Sequence, residues 1–218
     1  LIAVGTRAVC QADCSGIGYA YAMAVINING DLADLTHYNR TVGLAGDISA
    51  VVVRLLSGLE AAGGGDLAGK ADWLDDCAAR KKEWLAFKAE RYAAPPMREA
   101  AFDRPVLTQP VAIKVAADFA KEIDAVKLFD AGDVQANGFQ IVEDERTGDT
   151  FTEAGASYMG FAVSALLAGA AARRPRYAMA FTGDGSFMMN PQILIDAVEH
   201  GARGMVVLFD NRRMAAIT

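Results

Sequence analysis

Two short stretches carry hard oxygen ligands at a spacing that can bring them together. Gly183-Asp184-Gly185 follows the apolar run "YAMAFT", and Asp210-Asn211 ends a second apolar run, "GMVVLFD", after 24 intervening residues (186–209). Between them "NPQILIDAVEHGA" has helical spacing, with Asn190 and Pro191 as an N-cap and first-turn pair. Strand, helix and strand in that order return the chain to one edge of a parallel sheet, where ligands bind outside the carboxyl ends of the strands. Asp184 and Asn211 then converge although 26 residues (185–210) separate them. A carboxylate and an amide oxygen suit Mg²⁺, which prefers octahedral oxygen ligation and commonly shares its shell with phosphate. Gly183 and Gly185 permit close backbone approach, and the amides of Gly185 and Ser186 are expected to point at a phosphate oxygen. These residue types fit a metal-bridged diphosphate.

The elements that must position them are those of an ordinary globular chain. Its 218 residues are 53% hydrophobic and 22% charged, with a net charge of -6 and a pI near 5.0. The basic residues are scattered apart from Arg80–Lys82, Arg173-Arg174 and Arg212-Arg213, which argues against an extended nucleic-acid footprint. The longest apolar run, Met159–Ala172, has 14 residues, short of the roughly 20 that span a bilayer; it reads as a buried Ala-rich helix starting near Ser157. No targeting signal is visible, so a cytoplasmic location with no membrane partner is expected. Cys10, Cys14 and Cys77 make an odd count without metal-ligand pairing and are expected to be reduced core thiols.

Three zones follow along the chain. Residues 1–60 alternate strand-like runs ("LIAVGT", "AVINI", "TVGLAG") with turns and end in a helix capped by Asp47, as in the second half of an α/β domain. Residues 61–105 read as a linker with an amphipathic helix that has Trp73, Cys77, Trp84 and Leu85 on one side and stops before Pro95-Pro96. From 106 to 218 a βα pattern resumes. Thr108 caps a helix carrying Val111, Val115 and Phe119, "AVKLFD" is a strand, "AGDVQANG" a glycine-bearing turn and "VEDERTGD" an acidic loop. The predicted fold class is α/β, with parallel sheets covered by helices on both faces. Glu143, Glu145 and Glu153 are expected to be solvated acids, and His37 and His200 to be structural, His200 at a helix end.

Gly183-Asp184-Gly185 and Asp210-Asn211 at this spacing resemble the thiamine diphosphate motif, and "GDGSFMMNPQIL" resembles the same run in acetohydroxyacid synthases, pyruvate oxidases and benzoylformate decarboxylases. "FTEAGASYMGFAVSALLAGA" is similar to a family segment that puts Met159 where a bulky residue holds the cofactor bent. "FDAGDVQANGFQ" is similar to the family's cofactor loop at Asp130, Gly132, Gln135 and Gln140. The stretch up to "TVGLAGD" resembles the end of a Rossmann-like central domain. Two departures stand out: Asp133-Val134 replaces Gln-His of the synthases, and "RRMAAI" after Asn211 replaces a glycine-containing run.

The resemblance implies a thiamine diphosphate- and Mg²⁺-dependent enzyme that acts on a 2-oxo acid by decarboxylation, carboligation or both, acetolactate synthase-like. Cofactor contacts would come from Gly132, Asp133, Met159, Gly183, Asp184, Gly185, Ser186 and Asn211. The metal ligands would be Asp184, Asn211 and the backbone carbonyl of Arg213. An activating glutamate is expected outside this chain, on a pyrimidine-binding domain of another subunit in a homodimer or homotetramer, and the diphosphate domain at 106–218 is expected to be truncated and inert alone. Two alternatives stay open: a thiamine diphosphate-dependent hydrolase of a cyclic dione, as in inositol breakdown, and a degenerate non-catalytic scaffold.

Overall fold

The computed structural model describes residues 1–6, 19, 21–36, 40–65, 68–100, 102–153 and 155–214. Cys10, Cys14 and His37 lie outside the described residues. The chain divides into two compact units, Leu1–Cys77 and Ala78–Thr218.

In the first unit, β1 (Ile2–Val4), β2 (Val25–Asn29) and β3 (Thr41–Ala45) form a parallel sheet in the order β1-β2-β3. Val25 and Ile28 are buried. So is Asn27, whose Nδ2 donates to the carbonyls of Asp34 at 2.7 Å and Leu35 at 3.0 Å. Helix α1 (Ile48–Ala61) starts where the sequence predicts, and Asp47 accepts from Ala50 N at 2.9 Å. Helix α2 (Ala71–Tyr92) runs across the boundary between the units. Its expected apolar side is not buried: Trp73, Trp84 and Leu85 are exposed and Lys88 is its buried residue. Cys77 is a free, exposed thiol and not a core one.

After α2, the second unit has an antiparallel hairpin unanticipated in the sequence, β4 (Met97–Glu99) and β5 (Arg104–Val106). Then come α3 (Gln109–Glu122), β6 (Val126–Phe129), α4 (Asp133–Ile141), β7 (Thr150–Thr152), α5 (Phe161–Ala165), α6 (Ala168–Ala171), β8 (Ala178–Gly183), α7 (Asp184–Phe187), α8 (Ile193–Glu199) and β9 (Gly204–Phe209). The four strands are all parallel, in the order β7-β6-β8-β9. Helices cover both faces, as predicted. Ile113, Ala117 and Ala120 of α3 and Val134 and Ile141 of α4 pack with Phe129, Met179 and Phe181 on one face. Ala162 and Leu166 pack with Leu128, Ala178 and Ala180 on the other, alongside Leu194.

Several local readings are corrected. "AGDVQANG" is mostly helix, because Gly138 inside it allows α4 to lie against β6; a Cβ there would come within 2.4 Å of the Phe129 ring. The core face of α3 is Ile113, Ala117 and Ala120, whereas Val115 and Phe119 are exposed, and Thr108 sits at the N-cap without a side-chain bond. The Ala-rich helix is two short pieces, α5 and α6. Asn190 does not cap α8, for which Gln192 is the N-cap; its Nδ2 donates instead to Ser164 Oγ at 3.0 Å, tying the α8 approach to α5.

The acidic loop is paired. Just before β6, β7 and β8, Asp124, Asp149 and Arg176 meet Arg146 in one network, with Arg176 Nη1 2.9 Å from Asp149 Oδ1 and Arg146 Nη2 3.1 Å from the same atom. Lys88 pairs with Glu143, Lys121 with Glu145, and the buried Lys127 with Asp144 at 3.0 Å. Hydrogen bonding by Arg146 is the main influence that holds the Asp124 and Asp149 carboxyls below their ordinary values, against desolvation. Hydrogen bonding by Lys88 does the same for Glu143.

Two outcomes are expected. Gly138→Ala should destabilise the protein by about 1–3 kcal/mol through overpacking against Phe129, even though alanine is the better helix former by roughly 1 kcal/mol; a denaturant midpoint measures the balance. The depressed carboxyls contribute stability that is present above their unfolded pKa of about 4 and is lost as pH falls through the lower folded values. Arg146→Ala should therefore move the acid-unfolding midpoint, followed by circular dichroism, to higher pH.

Candidate functional site

A parallel strand delivers its carboxyl end to the same edge as its neighbours'. From β6 the chain builds outward to β7 on one side and then crosses to β8 on the other, so the segments leaving β6 and β8 diverge and leave a crevice. The crevice is a cleft of about 230 Å³, lined among others by Gln109, Gly132, Asp133, Met159, Ser157 and Phe209. Every site residue expected from the sequence lines it: Gly132, Asp133, Met159, Gly183, Asp184, Gly185, Ser186, Asn211 and Arg213. Met214, Gln109, Ser157 and Phe209 were not foreseen. They come from loops, from the first residue of α3 and from the end of β9, and their residue types signal nothing by themselves.

Each wall has a local cause. Gly132 is the N-cap of α4 at φ 83°, ψ -149°, backbone that a residue with a Cβ rarely adopts. It turns the chain from β6 into the helix, whose N-terminus carries the partial positive charge of unpaired amides. Asp133 occupies the first turn of that helix and is exposed, a placement that suits the helix dipole but adds a negative charge to the cleft. Gln109 is steadied from α4 by Asn137, whose Nδ2 is 2.5 Å from its Oε1. The family-matched Gln135 serves structure instead: its Nε2 donates to Thr152 Oγ1 at 2.6 Å and to the Glu153 carbonyl at 2.8 Å. Gln140 bonds back to Ala136 within its own helix at 3.2 Å. Glu153, expected to be solvated, uses its carboxylate to accept the amides of Gly155, Ala156 and Tyr158. Desolvation raises its pKa, but the backbone amides of Ala156, Gly155, Tyr158 and Ser157 prevail and hold it below the ordinary value.

At the end of β8, Asp184 Oδ1 accepts Gly185 N at 2.8 Å, which ties the carboxylate to the backbone at the strand end. A Cβ built on Gly183 would meet nothing within 4 Å, whereas one on Gly185 would lie 3.3 Å from Met214 Cγ and 3.6 Å from Met159 Cε. The two thioethers thus close in over Gly185, and Gly183 faces open space. Past β9, Asp210 Oδ1 accepts Arg212 N at 3.1 Å and Asn211 Oδ1 accepts Arg213 N at 3.0 Å, two successive turns that fix the loop. The Arg212 guanidinium lies 4.3 Å from the Phe102 ring centroid, with Arg212 itself at φ 55°. Among the described residues no three His, Cys, Asp or Glu side chains gather as a metal cluster. The cleft instead offers the carboxylates of Asp133 and Asp184 and the side-chain amides of Gln109 and Asn211, oxygen donors that fit Mg²⁺ better than a softer ion. His200 is the C-cap of α8, as expected.

A larger cavity of about 610 Å³ lies at the opposite edge, among Lys88, Lys127, Arg146 and Arg176 and their acidic partners. Its cations are matched by carboxylates, which makes it a paired network and a poor candidate for a charged ligand. No helix among the described residues is long and apolar enough to cross a membrane.

Residues 130–218 match the family described as thiamine pyrophosphate enzyme, C-terminal TPP binding domain. The chain is 28% identical over 218 residues to the acetolactate synthase isozyme 2 large subunit of Escherichia coli (strain K12), covering 100% of this chain and 36% of that protein. It is 26% identical over 235 residues to the 3D-(3,5/4)-trihydroxycyclohexane-1,2-dione hydrolase of Listeria monocytogenes serotype 4b (strain F2365), again with 100% of this chain and 36% of the relative. The chain therefore spans about a third of the length of these curated relatives.

Gly132→Ala should cost about 1–3 kcal/mol, because alanine would have to occupy glycine-only backbone. Amide exchange at the start of α4 should rise more than exchange in β6.

Proposed function

We propose that the protein is a thiamine diphosphate-dependent enzyme that works on a 2-oxo acid by decarboxylation, carboligation or both, acetolactate synthase-like and also requiring Mg²⁺; the match of residues 130–218 to the C-terminal TPP binding domain family supports this reading. The observation that carries the reading is the convergence of Gly132, Met159, Asp184, Asn211 and Arg213 on one cleft at the carboxyl edge of the sheet. Residues 1–60 are read as the end of a Rossmann-like central domain, 61–105 as a linker and 106–218 as the diphosphate-binding domain. The working protein is read as a cytoplasmic homodimer or homotetramer, with an activating glutamate supplied by a pyrimidine-binding domain of another subunit.

The residues divide the work by chemistry. The Asp184 carboxylate, the Asn211 amide oxygen and the Arg213 carbonyl are the proposed Mg²⁺ ligands, a hard-oxygen set. The turn at Gly132, the N-terminus of α4 and the strand end at Gly183-Asp184-Gly185-Ser186 are the proposed diphosphate contacts, since positive helix ends and close-approaching backbone favour an anion. Asp133 opposes that charge and is the residue for which this site has to compensate. Met159, 38% exposed at the cleft, is the proposed apolar support beneath the cofactor's central ring; its flexible thioether suits an irregular contact. When bound, the cofactor supplies an electron sink for breaking and making bonds at the substrate's carbonyl carbon, and the protein binds, orients and shields it.

The Listeria relative favours a second reading, hydrolysis of a cyclic dione with the same cofactor. Product analysis separates the two: pyruvate should yield CO₂ and a ligated or protonated product under the first, and ring-opened acid should appear from a cyclic dione under the second.

The metal assignment has its own test. Asp184→Ala in the full-length protein should weaken Mg²⁺-dependent thiamine diphosphate binding by roughly a hundredfold, the scale expected when a charged partner is removed. Calorimetry with and without Mg²⁺ reads this directly, and undiminished affinity would count against the assignment.

A further inference from the structure

Asp130 follows β6 at the carboxyl edge of the sheet, and none of its surface reaches solvent. A buried carboxylate is costly unless donors satisfy it. Three do so here: Oδ1 accepts Ala131 N at 2.9 Å and Gly160 N at 2.8 Å, and Oδ2 accepts the Thr182 hydroxyl at 2.8 Å. Thr182 is itself wholly buried.

Each donor belongs to a different wall of the cleft. Ala131 leads into the turn at Gly132 and Asp133, Gly160 follows Met159, and Thr182 precedes Gly183 and Asp184. Gly160 reaches the carboxylate with φ 90°, and a Cβ on it would lie 3.3 Å from Met189 Cβ, so the close approach depends on the absence of a side chain. Hydrogen bonds to an ionised acceptor are shorter and stronger than neutral ones. One carboxylate thus fastens three segments that are distant in sequence.

We infer that Asp130 is the positioning residue of the cleft: it holds the diphosphate-side turn, the Met159 wall and the cation-binding strand end in one mutual geometry. The inference rests on reading the cleft as a thiamine diphosphate site. An asparagine in its place keeps one acceptor oxygen for the two amides and turns its NH₂ to Thr182, whose hydroxyl can then bond the Gly183 carbonyl, now 3.3 Å away. An alanine loses all three bonds. Thr182→Val removes only the third and keeps the side chain's shape.

The test uses the full-length protein and its Asp130→Ala, Asp130→Asn and Thr182→Val variants, with thiamine diphosphate and Mg²⁺ as the ligand. Hydrogen exchange without ligand should show segments 131–133, 157–161 and 183–187 loosening together in Asp130→Ala while β6 and β8 stay protected, and segment 183–187 loosening in Thr182→Val, which carries the test if the alanine variant does not fold. Calorimetry on folded protein should show affinity falling roughly tenfold or more in Asp130→Ala and several-fold in Thr182→Val, with Asp130→Asn restoring most of it. A role confined to stability predicts lower melting temperatures with unchanged affinity in the folded variants, and that result would overturn the inference. Exchange in Asp130→Ala that rises across the whole sheet or in only one of the three segments, or exchange in Thr182→Val that leaves 183–187 unchanged, would overturn it too. Wild-type protein that failed to bind the cofactor would overturn the reading of the cleft and the ligand-positioning role with it, whereas loosened segments around an intact wild-type affinity isolate Asp130 as the point of failure.

Discussion

Parallel strands cannot be joined by a hairpin, so the chain must leave the carboxyl end of each one, cross a face of the sheet and re-enter at the far edge. Unit 2 is organised by this constraint. Its β6 has a parallel neighbour on each side, and the crossovers that leave it and β8 occupy opposite faces. Gathering Gly132, Met159, Asp184 and Asn211 at one edge requires no long-range search by the side chains. The backbone brings them there, and local turns set their final orientation.

The faces of the sheet then have to be tightly covered. Phe129 and Phe181 stack with centroids 4.6 Å apart, and Phe181 meets Phe209 at 6.4 Å. This row of rings runs from the middle of the core to Phe209 in the cleft wall. The opposite face is filled with alanines, which bring α5 close to β6 and β8. Close packing of that kind is unforgiving of added volume. It makes the edge of the sheet a rigid base on which ligand-facing loops can be held.

Much of this was legible in the sequence because the strands are apolar and uninterrupted. "AVKLFD", "YAMAFT" and "GMVVLFD" announce β6, β8 and β9, and the glycine-flanked Asp184 with the later Asn211 marks the edge where they end. What failed to show was decided by partners distant in the chain. Gly138 looks like a helix breaker until Phe129 is beneath it. Asn190 next to Pro191 looks like a cap until Ser164 is within reach. Val115 and Phe119 are apolar yet exposed, and the smaller Ala117 and Ala120 face the core because α3 lies close to the sheet. Asp130 reads only as a strand-end acid, since nothing local reveals that Gly160 and Thr182 will both turn toward it. The pairing of Glu143, Glu145 and Asp149 was hidden in the same way, because Lys88, Lys121 and Arg176 come from elsewhere in the chain.

The paired charges and the cleft lie at opposite ends of the strands. Asp124, Asp149 and Arg176 stand at the amino-terminal ends of β6, β7 and β8, where they fasten three strand entrances with side chains that do not line the cleft. The exits carry residues that line the cleft, among them Met159, Arg213 and Met214. Anchorage at one end leaves the other comparatively free to diverge. A lineage built on this sheet can exchange the exit loops and acquire a different reaction without rebuilding what keeps it folded.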